Sequence, residues 1–103
     1  MKNKYLILYQ FRSEDYEYME FYFEIKNNFK FNFHITENAW VIVVEDGLNA
    51  NEIYEKLSSK VSQRDTLLVM KLDNDEDFQG FAPKSFYDFM KFDFEREKNN
   101  DEE

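Results

Sequence analysis

The spacing of apolar and polar positions changes along the chain, and each change predicts an element. Residues 4–11 (KYLILYQF) are mostly apolar or aromatic without a breaker, which predicts a strand. Ser13 is a candidate N-cap for a helix that reaches about Asn28. At about 100° per residue, one narrow stripe of this helix is apolar and is predicted to be buried. The stripe consists of Tyr18, Tyr22, Ile25 and Phe29, and is flanked by Met19 and Phe21.

Two further strands are predicted from contrasting patterns. Residues 29–35 (FKFNFHI) alternate strictly, which predicts a half-exposed antiparallel strand with its phenylalanines on one face. His34, the only histidine, falls on the polar face and is predicted to be a surface residue. Residues 39–44 (AWVIVV) are continuously apolar, which predicts a central strand buried on both faces with Trp40 in the core.

The second half of the chain completes a predicted order of strands and helices. Asn49 is predicted to cap a second helix, with Glu52 three residues on as in a capping box. Residues 66–72 (TLLVMKL) predict a fourth strand. The order β-α-β-β-α-β predicts an α+β, ferredoxin-like fold. Residues 78–81 predict a short additional strand, and Pro83 predicts the start of a C-terminal helix.

Composition narrows the class of protein. The chain has 103 residues, fits a single domain predicted at 1–94, and ends in an acidic segment, 95–103, predicted to be disordered. Without cysteine it has no disulfide, thiolate metal site or cysteine nucleophile. No run approaches the roughly 20 apolar residues of a membrane span, so a soluble, cytoplasmic protein is expected. The net charge is −9, and the chain lacks the clustered Lys and Arg residues that direct nucleic-acid binding needs.

Acidic residues cluster in two places that together form a candidate partner-binding surface. They are Glu17, Glu20 and Glu24 on the first predicted helix, and Asp73, Asp75, Glu76 and Asp77 in the loop after the fourth strand. One interpretation is a solvated face that keeps the protein soluble; the other is attraction to a basic protein surface. Tyr16 and Phe23 lie beside the helical acids, either as packing residues or as aromatic anchors of an interface.

The acidic loop is a poor match to a calcium site. Asp73, Asp75 and Asp77 occupy the first three ligand positions, but Phe78 stands where the turn requires glycine. Lys84 stands where a closing glutamate is needed. No metal and no cofactor are therefore predicted, and one histidine without a local signature gives no catalytic triad.

Three segments resemble a known family. They are residues 37–42 (ENAWVI), residues 49–72 ending in RDTLLVMKL, and the Gly80-Phe81 pair before the last helix. Over roughly residues 4–92 the chain resembles the small SinR-type proteins related to the Cas-two family of CRISPR-associated integration subunits, whose relatives include VapD-like toxins. The resemblance implies a ferredoxin-like homodimer formed through the sheet, with an added strand that docks on the partner. The implied dimer-interface residues are Phe78, Gln79, Gly80 and Phe81.

The resemblance also implies where a nuclease site would lie. Nuclease members carry an aspartate at the end of the first strand, where this chain has Tyr9-Gln10. Glutamine is a neutral amide and a poor ligand for Mg²⁺, which is usually held by carboxylates. The resulting hypothesis is a non-catalytic, homodimeric protein-binding module, in the form of an acidic inhibitor or nucleic-acid mimic in a phage or defence setting. The alternatives are a metal-dependent nuclease of the same family and a structural subunit of a larger complex.

Overall fold

A computed structural model describes residues 2–12, 15–45, 47–62, 64–73, 79–80 and 82–92, without the side chains of residues 15–18. Within these residues, seven elements follow one another. They are β1 (Lys2–Gln10), α1 (Asp15–Asn28), β2 (Phe31–Thr36), β3 (Ala39–Glu45), α2 (Ala50–Ser58), β4 (Thr66–Lys71) and α3 (Lys84–Lys91). The predicted β-α-β-β-α-β order of elements and the C-terminal helix are confirmed.

The four strands form one antiparallel sheet in the order β2-β3-β1-β4. β1 therefore lies in the interior of the sheet, where Ile7 pairs with Trp40 of β3 on one side and with Val69 of β4 on the other. Together with three helices this is an α+β fold, and it is compatible with the predicted ferredoxin-like plan.

α1 and α2 pack against the same face of the sheet, which we call the helix face. Side chains of alternate residues in β1 and β3 meet buried side chains of both helices there, because successive strand residues point to opposite faces. Trp40, Phe21 and Ile7 are the largest of the fully buried side chains. The cluster comprises Tyr5, Ile7, Tyr9, Phe21, Ile25, Phe29, Trp40, Ile42, Val44, Ile53 and Leu57.

The opposite face of the sheet, which we call the open face, is partly covered by α3. The ring of Phe33 on β2 contacts the rings of Phe86 and Phe89, with centroids 5.6 and 5.5 Å apart. Met90 of α3 is buried. All six residues from Ala39 to Val44 are buried, so the prediction that β3 is buried on both faces is confirmed.

The junction between β3 and α2 follows the predicted local chemistry. The Asn49 side chain accepts a hydrogen bond from the backbone amide of Glu52 at 2.9 Å, which satisfies one of the unpaired donors at the start of α2. Gly47 has a φ of +97°, a left-handed conformation that residues with a Cβ rarely adopt. The predicted cap is confirmed.

The predicted environment of His34 is wrong. The sheet register pairs His34 with Trp40 and Phe31 with Val43, so His34 points to the helix face and Phe31 to the open face. His34 is half-buried rather than a surface residue. Alternation correctly separates the two faces of β2 but does not say which of them meets the helices. On α1, Met19 is 47% exposed, whereas Phe21 is fully buried and is central to the apolar stripe.

The predicted additional strand is only partly within the described residues. Gln79 and Gly80 are exposed and lie in neither a helix nor a strand, and Phe78 and Phe81 lie outside the described residues. Residues 95–103 also lie outside them, so the single domain at 1–94 and its disordered tail stay predictions. Within the part of the chain that is described, no helix has the length and apolar character needed to cross a bilayer.

Candidate interaction surfaces

The acidic residues of α1 flank an exposed aromatic side chain. Phe23 is 53% exposed, and Glu20 is exposed one helical turn before Glu24. Glu24 is half-buried, and its Oε1 accepts a hydrogen bond from Nδ2 of Asn28 at 3.0 Å, which fixes the carboxylate along the helix. Tyr16 and Glu17 belong to the first turn of α1, but the structure does not describe their side chains.

The acidic loop is represented by one described residue. Asp73 is exposed directly after β4, which is an edge strand. Asp75, Glu76 and Asp77 lie outside the described residues. Of the seven predicted acidic site residues, the side chains of Glu20, Glu24 and Asp73 are therefore described, two of them on α1 and one at the sheet edge.

Gln10, the position matched to a nuclease aspartate, is exposed at the end of β1 and pairs with Thr66. Asp65 lies next to Thr66, and its two carboxylate oxygens accept the backbone amides of Arg12 and Ser62, each at 2.9 Å. These hydrogen bonds, Ser62 first, lower the pKa of Asp65. This carboxylate therefore joins the end of β1 to the turn before β4.

Clusters of candidate metal ligands are absent from the described residues. Within the ranges given above, no three His, Cys, Asp or Glu side chains are grouped so that they could hold a metal ion. Both oxygens of Asp65 are already engaged by backbone amides, so this carboxylate serves the fold.

A hydrogen-bonded chain on the helix face links Trp40, Tyr9 and His34. Trp40 Nε1 donates to the Tyr9 hydroxyl at 2.8 Å, and that hydroxyl lies 3.4 Å from His34 Nε2. The Tyr9 hydroxyl and His34 Nε2 are within hydrogen-bonding distance, and the tautomer of His34 decides which of the two donates. Burial is the largest cause of the lowered pKa of His34, and it outweighs the raising effect of Glu37.

The open face carries an exposed apolar patch, which we define as Leu6, Leu8, Leu68 and Met70. The register places these four side chains on one face, since Leu6 pairs with Met70 and Leu8 with Leu68. Leu68 is 48% and Met70 41% exposed, whereas Leu6 and Leu8 are half-buried. The sequence did not reveal this patch, because residues 66–72 are apolar on both faces and alternation gives no signal there.

Two clefts meet at the start of β2. The first, of about 430 Å³, lies between β2 and α3 and includes the rings of Phe31, Phe33, Phe89 and Phe92 in its wall. The second, of about 490 Å³, lies between the ends of β1, β2 and β3 and includes Lys2, Lys30 and Lys56. Lys30 and Phe31 line both clefts.

Comparisons with known proteins give no assignment. No protein-family model matches this chain, and no curated protein matches it either.

Proposed function

We propose that the chain is a non-catalytic protein-binding module of the ferredoxin-like, Cas-two type that forms a homodimer through the open face of its sheet. The observation that carries the proposal is the apolar patch of Leu6, Leu8, Leu68 and Met70. Two large apolar side chains that are more than 40% exposed, side by side on a sheet, are typical of a surface that another protein covers.

Two-fold symmetry suits this patch. In a two-fold dimer the same surface meets itself, so the patch of one protomer contacts the patch of its partner. Leu68 and Met70 alternate along β4 with Leu67 and Val69, which pack against the core on the helix face. The dimer would thus bury side chains of a strand that is already fixed by the core. Gln79 and Gly80, which are exposed, are the described members of the predicted docking segment.

Light scattering coupled to size exclusion tests the dimer. We expect the mass of a dimer for the native chain, and of a monomer for the Leu68→Glu/Met70→Glu variant. The matched control is Met19→Glu/Tyr54→Glu, which adds the same charge at two apolar side chains of similar exposure on the helices. A native monomer, or a control that dissociates as fully as the patch variant, would contradict a dimer through the open face.

The partner-binding surface is proposed to be the outer side of α1. Phe23 supplies an exposed aromatic anchor, and Glu20 and Glu24 supply negative charge on either side of it. Aromatic anchors with a charged rim are common in protein interfaces. With the net charge of −9, this arrangement favours a basic partner, such as a nucleic-acid-binding protein whose groove the acids would occupy. A role in a phage or defence setting belongs to the same proposal and derives from the family resemblance.

A charge-reversal series tests the partner surface. A basic partner captured from lysate should be released by salt, because screening weakens attraction between exposed charges. Glu20→Lys/Glu24→Lys should abolish capture, whereas Glu52→Lys/Glu55→Lys, which changes the net charge equally on α2, should retain most of it. Salt-independent capture would instead favour a structural subunit held by apolar contacts. Equal losses of capture in both variants would show that only the net charge of the chain matters, and not the position of the acids on α1.

A further inference from the structure

We infer that the two copies in the proposed dimer exchange their C-terminal helices, so that α3 of each chain packs against β2 of its partner. The inference rests on the proposed dimer through the open face, and it adds how the two chains are connected. Exchange replaces contacts within one chain by the same contacts between two identical chains, so it costs little free energy. The position of α3 on the open face carries the inference, because it limits where a second sheet can lie.

The open face is covered over β2 and β3 and exposed over β1 and β4. Phe33 of β2 contacts the rings of Phe86 and Phe89 on α3. Val41, which pairs with Phe33 and shares its face, is only 1% exposed. The apolar patch on β1 and β4, by contrast, includes two side chains that are more than 40% exposed. The two halves of this face therefore differ: α3 packs on one, and the partner copy is proposed to pack on the other.

A second sheet does not have room to lie over α3 and touch the apolar patch at the same time. Packed sheets are roughly 10 Å apart, and a helix with its side chains is itself about 10 Å across. A sheet placed over α3 would therefore be held away from the patch. The partner's sheet has to extend from the patch past β4, away from β2. Two-fold symmetry then places β2 of the partner, with the helix that covers it, beyond the β4 edge of the first chain.

The connection from β4 to α3 favours exchange in such a dimer. β4 ends at Lys71, and Gly80 already lies against α3, because its carbonyl accepts a hydrogen bond from the Tyr87 hydroxyl. Within one chain, the connection joins opposite edges of the sheet, which are three strand spacings or about 14 Å apart. The partner's sheet covers strands that lie between these edges. Exchange instead joins the end of β4 to a helix position directly beside it, so the connection does not have to pass the interface.

Cross-linking of the folded protein tests the exchange. The chain has no cysteine, so thiols introduced by substitution are the only ones that react. Lys30, just before β2, and Ser85 on α3 are exposed and line the same cleft. In an exchanged dimer these two positions of one cleft belong to different chains. Treatment of Lys30→Cys/Ser85→Cys with a flexible bismaleimide should therefore give a covalent dimer on denaturing electrophoresis.

The matched control is Asn28→Cys/Lys56→Cys. Both side chains are exposed and line the second cleft, and they belong to α1 and α2, which stay in one chain whether or not α3 is exchanged. This variant should give an internally linked monomer under the same conditions. Urea midpoints confirm that both variants are folded.

The outcomes separate the exchange from the dimer itself. A covalent dimer from Lys30→Cys/Ser85→Cys, beside an internally linked control, supports the exchange. An internally linked monomer from Lys30→Cys/Ser85→Cys would overturn the exchange, and it would leave the dimer intact if light scattering still gives the native chain the mass of a dimer. A native chain with the mass of a monomer would contradict the dimer and the exchange together.

Discussion

The imidazole of His34 lies flat on the indole of Trp40, with ring centroids 4.1 Å apart and ring planes 9° from parallel. The two residues are direct neighbours across β2 and β3, and Tyr22 of α1 packs edge-on against both rings. The only histidine of the chain is therefore part of the contact between α1 and the sheet, and its protonation state acts on stability.

Stability should fall as pH drops below about 6.5, the ordinary pKa of histidine. Burial lowers the pKa of His34 in the native state, so the unfolded chain takes up a proton first. The loss begins near the unfolded pKa and is complete below the lowered native pKa. Urea unfolding at several pH values measures it, and His34→Gln should remove this component. Since there is one histidine, its NMR titration reports the native pKa directly; a value at or above 6.5 would contradict the prediction.

Tyr9→Phe should destabilise the protein by about 1–3 kcal/mol, because it leaves the buried Trp40 Nε1–H without its acceptor. Trp40 is fully buried, so water does not replace the lost partner without rearrangement. Urea unfolding followed by the fluorescence of this single tryptophan measures the change. Tyr54→Phe removes a hydroxyl from a side chain that is 43% exposed and should change the free energy of unfolding by less than about 0.5 kcal/mol. Equal effects of the two variants would show that the hydrogen bond from Trp40 to Tyr9 does not contribute to the free energy of unfolding.

Asp65→Ala should cost about 1 kcal/mol and should speed amide exchange at Arg12 and Ser62, the two donors to this carboxylate. The lowered pKa of Asp65 adds a pH signature: the stabilisation is present above the ordinary aspartate pKa and is lost as pH falls through the lower native value. Hydrogen exchange monitored by NMR reads both sites. Asp73→Ala, at an exposed residue after β4, serves as the control. Unchanged amide exchange in Asp65→Ala would show that the Asp65 carboxylate does not hold the amides of Arg12 and Ser62.

The two halves of the proposed function should respond to salt in opposite directions. Each protomer carries a net charge of −9, so association of two copies is opposed by repulsion that salt screens. The dimer should therefore tighten with salt, whereas capture of a basic partner should weaken. Sedimentation equilibrium at low and high salt measures dimer association. Elution of the captured partner with increasing salt measures partner binding. A dimer that weakens with salt would mean that its interface contains attractive charge pairs rather than the apolar patch.

Sequence alone predicted the elements well where one local signal dominated. Asn49 caps α2 as expected, because an asparagine side chain needs only the backbone amide three residues away. Residues 39–44 were recognised as a strand buried on both faces, because a short, unbroken run of apolar and mostly β-branched residues is typical of that environment.

The sequence failed where the answer depended on register and on α3. Whether His34 or Phe33 meets the helices follows from the pairing of His34 with Trp40 across the turn at Glu37 and Asn38, which no local pattern specifies. Phe33 lies on the open face because Phe86 and Phe89 of α3 cover it there. The apolar patch was missed because residues 66–72 are apolar on both faces. The cleft that includes Lys2, Lys30 and Lys56 was missed because it joins elements that are distant in sequence.

The interior position of β1 constrains the order in which the domain is built during synthesis. Leu8 pairs with Ala39 on one side and with Leu68 on the other, so β1 leaves the ribosome before both of the strands with which it pairs. Until β4 has left the exit tunnel, one flank of β1 has no native strand to pair with. Closing such long loops is entropically costly and slows folding. The nascent chain thus completes its sheet only after its fourth strand is available.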